Sequence, residues 1–219
     1  MFRQDKAYPL IGIMGGTFNP IHNGHLRLAQ ELAEQLTLSQ VRFIPSANPP
    51  HKAAPKVSAQ QRAQMVQLAI ADNALFALDT RELERVGASY TIDTLISLKT
   101  EFKQQALCLI MGSDAFAKLD TWHRWQELIN YCHIILVQRP STTPTGLNQT
   151  LQDFMLAHYT EDLHALSETD SGCISMLAIP ALDISSSQIR ELMAQGRSPR
   201  YLSPKAVVDY MQLNSLYLE

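Results

Sequence analysis

Two histidines, His22 and His25, are the residues of this sequence best placed for chemistry, because a glycine pair, Gly15 and Gly16, precedes them. Glycine lacks a side chain, so its backbone can lie close to a ligand, and a helix that starts nearby offers unpaired N–H groups to an anion. Two imidazoles at this spacing in a first helical turn can point to one side. The block predicts a triphosphate site. There the two imidazoles would supply hydrogen-bond donors to the phosphate oxygens on which negative charge develops.

Other interpretations of this block stay open from the residues alone. Gly-Gly and Asn-Pro are common turn-forming pairs, and two histidines at this spacing also occur on surfaces or as metal ligands. The sequence places no third zinc ligand beside them. Because Gly12 is followed by Gly15 and Gly16, the dinucleotide fingerprint GxGxxG is not matched, and a nicotinamide oxidoreductase loses its main support.

A second block, Ile184-Ser-Ser-Ser-Gln-Ile-Arg190, combines hydroxyls with a guanidinium. Successive hydroxyls at a helix start cap N–H groups or bind phosphate oxygens, and Arg190 adds a planar fork of donors. Taken alone, a serine-rich segment of this kind is also an ordinary helix cap.

Short apolar runs alternate with helical patterns along most of the chain. Strands that are apolar on both faces and separated by helices are typical of a parallel sheet covered on both sides. We predict strands at 9–14, 41–45, 75–78, 106–111, 133–137 and 173–179. The predicted fold is a doubly wound, Rossmann-like α/β sheet in a single domain, 1–219. In such a sheet, ligands bind beyond the carboxyl ends of the strands, where the strand order reverses.

Helical spacing and capping signals predict the elements between the strands. Helices are expected at 24–36, 59–72, 91–102, 121–131 and 185–195, and again after 204. Ser58 and Gln61 form a capping-box pair, Gly196 is a helix stop, and Ser203-Pro204 is a cap and first turn. Residues 141–170 have no clear period and are expected to form a surface excursion with some helix at 151–158. Residues 184–219 form a helical part that carries the second block.

Composition narrows the class of protein. The 219 residues carry a net charge of −3, so the chain lacks the basic excess of many proteins that wrap nucleic acid. Cys108, Cys132 and Cys173 are widely spaced in apolar runs and are expected to be core thiols. No apolar run approaches the roughly 18 residues of a membrane span, and no signal-peptide core is visible. We expect a cytoplasmic protein without membrane or nucleic-acid partners; self-association stays open.

The two blocks together resemble the signatures of the nucleotidyltransferase superfamily, a Gly-rich Thr-Phe turn with His-x-Gly-His and a later Ile-Ser-Ser-Ser-x-Ile-Arg. Further segments are similar to bacterial nicotinate-nucleotide adenylyltransferases; these are residues 44–52, 81–84, 89–91, 111–114, 121–122 and 203–211. The resemblance implies transfer of the AMP unit of ATP to nicotinic acid mononucleotide, in NAD biosynthesis. Asn19 departs from the pattern, since the family often has Asp there, and any direct role of that carboxylate is in doubt.

The resemblance also implies roles for individual residues. Catalysis is expected from His22, His25 and Thr17. ATP is expected to contact Gly15, Gly16, Phe18, Gly112, Asp114, Ile184, Ser185, Ser186, Ser187 and Arg190. The mononucleotide is expected to contact Lys52, Tyr90, Thr91, Ile92, Trp122, His123 and Arg139. Mg²⁺ is expected to accompany ATP, held by substrate phosphates and water rather than by protein ligands.

Trp122 is expected to stack on the nicotinate ring, whose carboxylate would be received by backbone N–H groups near Thr91, Ile92 and His123. Trp122 is alternatively a core or rim residue, and Asp114 and Lys52 are alternatively solvated charges.

Two other functions stay open from the sequence. One is the same chemistry with nicotinamide mononucleotide or phosphopantetheine as acceptor, although pantetheine-type relatives lack the blocks at 89–91 and 121–122. The other is a non-catalytic nucleotide sensor, because fold alone does not confer activity. The intact His22, His25 and Arg190 argue against a sensor, which has no need of donors to a transition state.

Overall fold

In this computed structural model, which describes residues 7–47, 56–138, 146–180 and 182–218, six strands form one sheet. The strands are Leu10–Gly16 (β1), Gln40–Pro45 (β2), Phe76–Leu78 (β3), Ala106–Gly112 (β4), His133–Gln138 (β5) and Ile174–Ala178 (β6). Their order is β3-β2-β1-β4-β5-β6. The order reverses between β1 and β4, which is the switch point at which doubly wound folds bind nucleotides.

The strand pairs β1–β4, β4–β5 and β5–β6 are parallel, with Leu10 beside Ala106, Cys108 beside His133, and Ile134 beside Ile174. In β4 and in β5, every residue except the last one of each strand is buried. Burial on both faces explains why these strands are continuously apolar rather than alternating. The predicted Rossmann-like α/β fold is confirmed.

Helices connect the strands along the described chain. They are Asn23–Gln35 (α1), Ala59–Ile70 (α2), Arg81–Glu84 (α3), Thr91–Glu101 (α4), Ser113–Phe116 (α5), Gln149–His158 (α6), Ala165–Glu168 (α7), Ser186–Ala194 (α8) and Lys205–Leu213 (α9). The predicted capping box of α2 is confirmed, because Ser58 accepts from the Gln61 N–H and the Gln61 side chain accepts from the Ser58 N–H. Gly196 follows the end of α8 with φ +67°, as expected of a helix stop.

The helix predicted at 121–131 is wrong. Two 3₁₀ turns, Leu119–Thr121 and Trp125–Asn130, stand there instead. Arg124 lies between them in the left-handed region, with φ +52°, and a residue in that conformation cannot continue a right-handed helix. Its guanidinium donates to Glu127 at 2.8 and 2.6 Å, which ties the break to the second turn.

Two further predictions need correction or refinement. Ser203 is not the cap of α9, whose N-cap residue is Pro204; the Ser203 hydroxyl donates instead to the Ile21 carbonyl at 3.0 Å. The stretch expected to be a surface excursion contains α6 and α7, whose Leu151 and Leu166 are fully buried. Among the described residues of that stretch only these two side chains are buried, so it lies largely at the surface as expected, with a helix over the predicted 151–158; residues 141–145 lie outside the described part.

The chain divides into two compact units. The first unit comprises Met1–Met14, Leu32–Val41 and Tyr90–Pro180, and the second comprises Gly15–Glu31, Arg42–Ser89 and Ala181–Glu219. Fully buried side chains of the first unit include Leu95, Leu98, Leu107, Ile134 and Ile135. Those of the second unit include Phe43, Met65, Val66, Val207 and Met211. In the described residues, no helix has the length and apolar character to cross a membrane.

Candidate active site

In the second unit, the loop after β1 is shaped by Phe18, which has φ +46° and is almost fully buried. Its ring contacts the edge of the His25 ring at a centroid distance of 5.3 Å and lies 5.9 Å from Phe43. A Cβ on Gly16 would lie 3.0 Å from the Phe18 ring, whereas a Cβ on Gly15 would meet nothing within 4 Å. A side chain at position 16 would therefore require the Phe18 ring to shift by a few tenths of an ångström, whereas position 15 is open.

His22 and His25 lie together at the start of α1. Their rings stack with centroids 3.7 Å apart, and the His22 N–H donates to His25 Nδ1 at 3.3 Å. Burial lowers the pKa of His22 to about 4, and burial together with the neighbouring His22 lowers the pKa of His25 to about 3. His22 Nδ1 is buried and has no hydrogen-bond partner in the described part of the chain. Both rings are therefore neutral near pH 7.

Gly24, between the histidines, permits this stacking. A Cβ at that position would lie 3.0 Å from His22 Nδ1 and 3.1 Å from its Cε1. Any other residue would therefore push the His22 ring away from its neighbour. The glycine of the His-x-Gly-His block thus has a packing role.

Arg62, a residue that sequence reasoning missed, holds this loop from α2. It is 1% exposed, and its guanidinium donates to the Thr17 carbonyl at 2.5 Å and to the Ser46 carbonyl at 2.7 Å. The Ser46 N–H in turn donates to the Gly16 carbonyl at 2.9 Å. A signal existed, since Arg62 lies at helical spacing with the buried Met65 on the apolar face of α2.

The Ser-rich block meets the same loop within the second unit. Ser185 accepts from the Gln188 N–H at 3.1 Å and caps α8, as one interpretation of the block predicted. The other contacts reach the loop or stay in the block: Ser186 Oγ donates to Pro20 O at 2.8 Å, Arg190 Nη1 to Asn19 O at 2.8 Å, and Arg190 Nη2 to Ser187 Oγ at 3.1 Å. Ile184, just before α8, lies 3.7 Å from a Cβ built on Gly24. The two signature blocks are thus brought together.

Donors of hydrogen bonds and positive charge dominate this part of the second unit. The loop from Gly15 to His25 contains no carboxylate, while Arg62 and Arg190 both donate to its carbonyl groups. Among the described residues, no group of three or more His, Cys, Asp or Glu side chains could hold a metal ion. These hydrogen-bond donors and positive charges suit a polyanion. A divalent cation such as Mg²⁺ would have to be bound by the oxygens of that anion.

The first unit carries the residues predicted to bind the mononucleotide. The rings of Tyr90 and His123 lie 4.4 Å apart with 34° between their planes. Tyr90 is the N-cap residue of α4 and makes no side-chain cap, so the N–H groups of Thr91 and Ile92 have no partner within the helix. The Ile92 side chain is fully buried, which leaves its backbone for binding. Trp122 is half-buried in the break between the two 3₁₀ turns.

The end of β4 leads directly into α5 in the first unit. Gly112 is exposed, and a Cβ there would meet nothing within 4 Å. Asp114 follows in the first turn of α5, with its side chain exposed. An exposed carboxylate at a strand end can accept from a hydroxyl, and the solvated charge stays an alternative. The remaining two predicted site residues, Lys52 and Arg139, lie outside the described residues.

Comparison with known proteins places close relatives along nearly the whole chain. A family model described as cytidylyltransferase-like matches residues 13–192. A protein of Acidithiobacillus ferrooxidans named probable nicotinate-nucleotide adenylyltransferase is 40% identical over 205 residues, which is 94% of this chain and 94% of that protein. A protein of the same name from Pseudomonas putida is 44% identical over 213 residues, which is 97% of this chain and 96% of that protein.

Solved structures with a similar backbone have more distant sequences. Plasmodium falciparum nicotinic acid mononucleotide adenylyltransferase complexed with NaAD superposes with a TM-score of 0.70 at 17% identity, covering 96% of this chain and 98% of that chain. The same protein complexed with APC gives a TM-score of 0.69 at 16% identity. At these identities the likeness concerns the fold, and it agrees with the six-stranded sheet.

Proposed function

The chain belongs to the nicotinate-nucleotide adenylyltransferases within the cytidylyltransferase-like family, and from this premise we infer that it transfers the adenylyl group of ATP to nicotinic acid mononucleotide. The products are nicotinic acid adenine dinucleotide and pyrophosphate, in a step of NAD biosynthesis. The observation that carries the inference is the hydrogen bonding between the two signature blocks, from Ser186 to Pro20 and from Arg190 to Asn19.

The reaction needs no protein nucleophile. A phosphate oxygen of the mononucleotide attacks the α-phosphorus of ATP, the bond from that phosphorus to the oxygen bridging the β-phosphate breaks, and pyrophosphate leaves. The contribution of the protein is therefore to align the two phosphates and to stabilise the charge that moves onto pyrophosphate.

The second unit supplies the groups for ATP. We assign His22 and His25 to the triphosphate and to the charge of the transferring phosphate, with the Thr17 hydroxyl beside them. Ser187 and Arg190 hold the β- and γ-phosphates, whereas Ser185 and Ser186 orient the start of α8 through the contacts they already make. The backbone at Gly15, Gly16, Phe18 and Ile184 completes this end, and Gly112 and Asp114 of the first unit are assigned to the adenosine part.

The first unit supplies the groups for the mononucleotide. Trp122 stacks on the pyridine ring, and Tyr90 and His123, whose rings already contact each other, flank it. The N–H groups of Thr91, Ile92 and His123 receive the carboxylate, since amides bind an anion without adding a competing full charge. Lys52 and Arg139 stay predicted phosphate contacts.

A divalent metal generally accompanies adenylyl transfer from ATP, and we propose that Mg²⁺ fills this role. Its ligands would be phosphate oxygens and water, because the loop from Gly15 to His25 offers no carboxylate. Bound in this way, Mg²⁺ would neutralise part of the phosphate charge and help to orient the leaving pyrophosphate.

The experiment that tests this function is pyrophosphate release from ATP, measured with a panel of acceptors: nicotinic acid mononucleotide, nicotinamide mononucleotide and phosphopantetheine. We expect release with the first acceptor and formation of the matching dinucleotide. His22→Ala and His25→Ala should each lower turnover by roughly two orders of magnitude. His164→Ala is the matched control, because His164 is exposed and lies at the start of α7 in the first unit.

Each alternative has its own result in the same experiment. Faster release with nicotinamide mononucleotide or phosphopantetheine would replace the acceptor but keep the chemistry. Binding of ATP without release for any acceptor would make the protein a nucleotide sensor. Unchanged turnover in both histidine variants would remove His22 and His25 from the mechanism.

A further inference from the structure

Tyr217, which lies close to the end of the sequence, reaches back to the signature loop. Its hydroxyl donates to Asn19 Oδ1 at 2.6 Å, across 198 positions of the chain. Asn19 stands between Phe18 and the start of α1, in the segment to which we assign the triphosphate. No signal in the sequence foretells this contact.

The turn after α9 places Tyr217. Ser215 lies in the left-handed region with φ +50°, its N–H donates to Gln212 O at 3.1 Å, and the Leu216 N–H donates to Met211 O at 2.9 Å. These two bonds form a Schellman motif, which fixes the direction of the chain as it leaves a helix. Leu216 is buried and anchors the turn. This turn therefore sets the direction in which the chain continues to Tyr217.

Asn19 is held at two atoms. Its carbonyl oxygen accepts from Arg190, and its side-chain oxygen accepts from Tyr217. In the described part of the chain, the side-chain nitrogen of Asn19 makes no hydrogen bond. An amide whose oxygen is bound keeps its NH₂ group in a defined direction, with two donors for another partner.

The electrostatic surroundings keep Tyr217 a donor. Burial raises the pKa of the Tyr217 phenol, while the charges of Arg190 and Arg62 oppose that rise. The hydroxyl therefore carries its proton at neutral pH, and it donates that proton to Asn19 Oδ1. The Arg190 guanidinium donates to the Asn19 carbonyl and the loop contains no carboxylate, so a phosphate group is a suitable partner for the amide donors of Asn19.

We propose that Tyr217 is a positioning residue of the active site, which orients the Asn19 amide so that its N–H groups donate to a phosphate of ATP. The proposal rests on the proposed function for its substrate. It gives Asn19 a role that a carboxylate cannot perform, since a carboxylate has no N–H to donate. Tyr217 touches no reacting atom and acts only through Asn19.

The test compares Tyr217→Phe with Tyr201→Phe. Phenylalanine keeps the ring and removes only the hydroxyl, and Tyr201 is a matched control because it is 89% exposed in the same unit. We expect Tyr217→Phe to lower kcat/KM for ATP by roughly tenfold or more, because a small misplacement of a contact can cost that much. KM for the mononucleotide should stay within twofold of the wild-type value, and Tyr201→Phe should match the wild type throughout.

Asn19→Ala and the double variant Tyr217→Phe/Asn19→Ala separate positioning from general support. If Tyr217 acts only through Asn19, the double variant should be no worse than Asn19→Ala alone. The proposal is overturned if the losses of activity in the two single variants multiply in the double variant. It is also overturned if Tyr217→Phe lowers the urea midpoint but leaves the activity per folded molecule unchanged.

Binding of ATP, measured by calorimetry on the same proteins, keeps this proposal distinct from the proposed function. If the wild type binds ATP but releases no pyrophosphate, the proposed function fails. The positioning role then still predicts binding of ATP weakened about tenfold in Tyr217→Phe, by loss of a charge-assisted contact. Equal ATP affinity and equal kinetics in Tyr217→Phe and the wild type would refute the role of Tyr217 alone.

Discussion

The imidazole rings of His22 and His25 stack with their centroids 3.7 Å apart and 30° between their planes. Two protonated imidazoles would repel each other at this distance, and burial disfavours the charged form of each ring. Burial lowers the pKa of His22 to about 4, and burial together with the neighbouring His22 lowers the pKa of His25 to about 3. In the free protein both imidazole rings are therefore neutral, at the position where we expect a polyanion to bind.

The first prediction concerns stability and pH. Below the ordinary histidine pKa of about 6.5, the unfolded chain takes up protons on both residues, while the folded protein does not until the pH reaches their lowered values. The free energy of unfolding should thus decrease as pH falls from about 6.5 towards 4, by up to about 1.4 kcal/mol per pH unit for each histidine. Urea denaturation between pH 7.5 and 5 measures this slope.

His22→Asn and His25→Asn should each reduce that slope, and His164→Asn should leave it unchanged, since His164 is exposed. A slope that is the same in the wild type and in both site variants would show that the two rings do not titrate abnormally.

The second prediction concerns Arg62. In Arg62→Lys, one ammonium must replace a guanidinium that bridges the Thr17 and Ser46 carbonyls, so a buried acceptor loses its donor. We expect a loss of about 2–4 kcal/mol in the free energy of unfolding, measured by urea denaturation. Arg27→Lys, in a half-exposed ion pair with Glu31, should change stability by less than about 1 kcal/mol. Similar effects of the two substitutions would contradict the bridging role.

The third prediction concerns Arg190. An ammonium cannot reproduce the forked contacts that the guanidinium makes with Asn19 and Ser187, or those that we propose it makes with phosphate. Arg190→Lys should lower kcat/KM for ATP by roughly tenfold to a hundredfold, which is the loss expected when one contact to the transition state is removed. Arg197→Lys, at an exposed position just after α8, is the matched control. A change in thermal stability alone would make Arg190 a structural residue.

The fourth prediction concerns the metal. EDTA should stop the reaction and added Mg²⁺ should restore it, because the ion arrives with ATP rather than residing in a protein cage. Circular dichroism should be the same with and without EDTA, since no structural metal site holds the described residues together. Activity that persists in EDTA would remove the metal from the mechanism.

The fifth prediction concerns the choice of pyridine. If the backbone donors at Thr91 and His123 receive the carboxylate, as we propose, the amide of nicotinamide mononucleotide would leave them partly unpaired, because its NH₂ group cannot accept a hydrogen bond. Each unpaired donor costs about 1–3 kcal/mol, so two give a preference for the acid of order 10²-fold in kcat/KM. Trp122→Ala should weaken both substrates and leave the ratio largely intact, because stacking is common to both. Equal use of acid and amide by the wild type would contradict the carboxylate pocket.

Features of the fold that depend on neighbouring residues could be predicted from the sequence. Buried strands are continuously apolar, and the capping box of Ser58 with Gln61 is a local pattern. The break at Arg124 could not be predicted, because a left-handed arginine is selected by its surroundings and leaves no pattern in composition. For the same reason, Ser203 has the residue type of a cap but bonds to Ile21 instead.

The candidate site was predictable only in part. The signature blocks identify His22, His25 and Arg190 because their residue types are concentrated in short segments. Arg62 and Tyr217 act on that loop from 45 and 198 positions away, and a single sequence does not encode which distant residue will meet which. Sequence patterns therefore identify candidate ligand groups more readily than the residues that hold them in place.

Two long-range hydrogen bonds join the later part of the second unit to the loop after β1. They run from Ser186 to Pro20 and from Tyr217 to Asn19, across 166 and 198 positions of the chain. A ribosome releases the amino-terminal part of a chain first, so His22 leaves the tunnel long before the residues that brace its loop. The loop around His22 cannot make these contacts until residues 186–217 have left the ribosome. Contacts between residues so far apart in the sequence also form slowly. We therefore expect nucleotide binding that depends on these two contacts only after residues 186–217 have been synthesised.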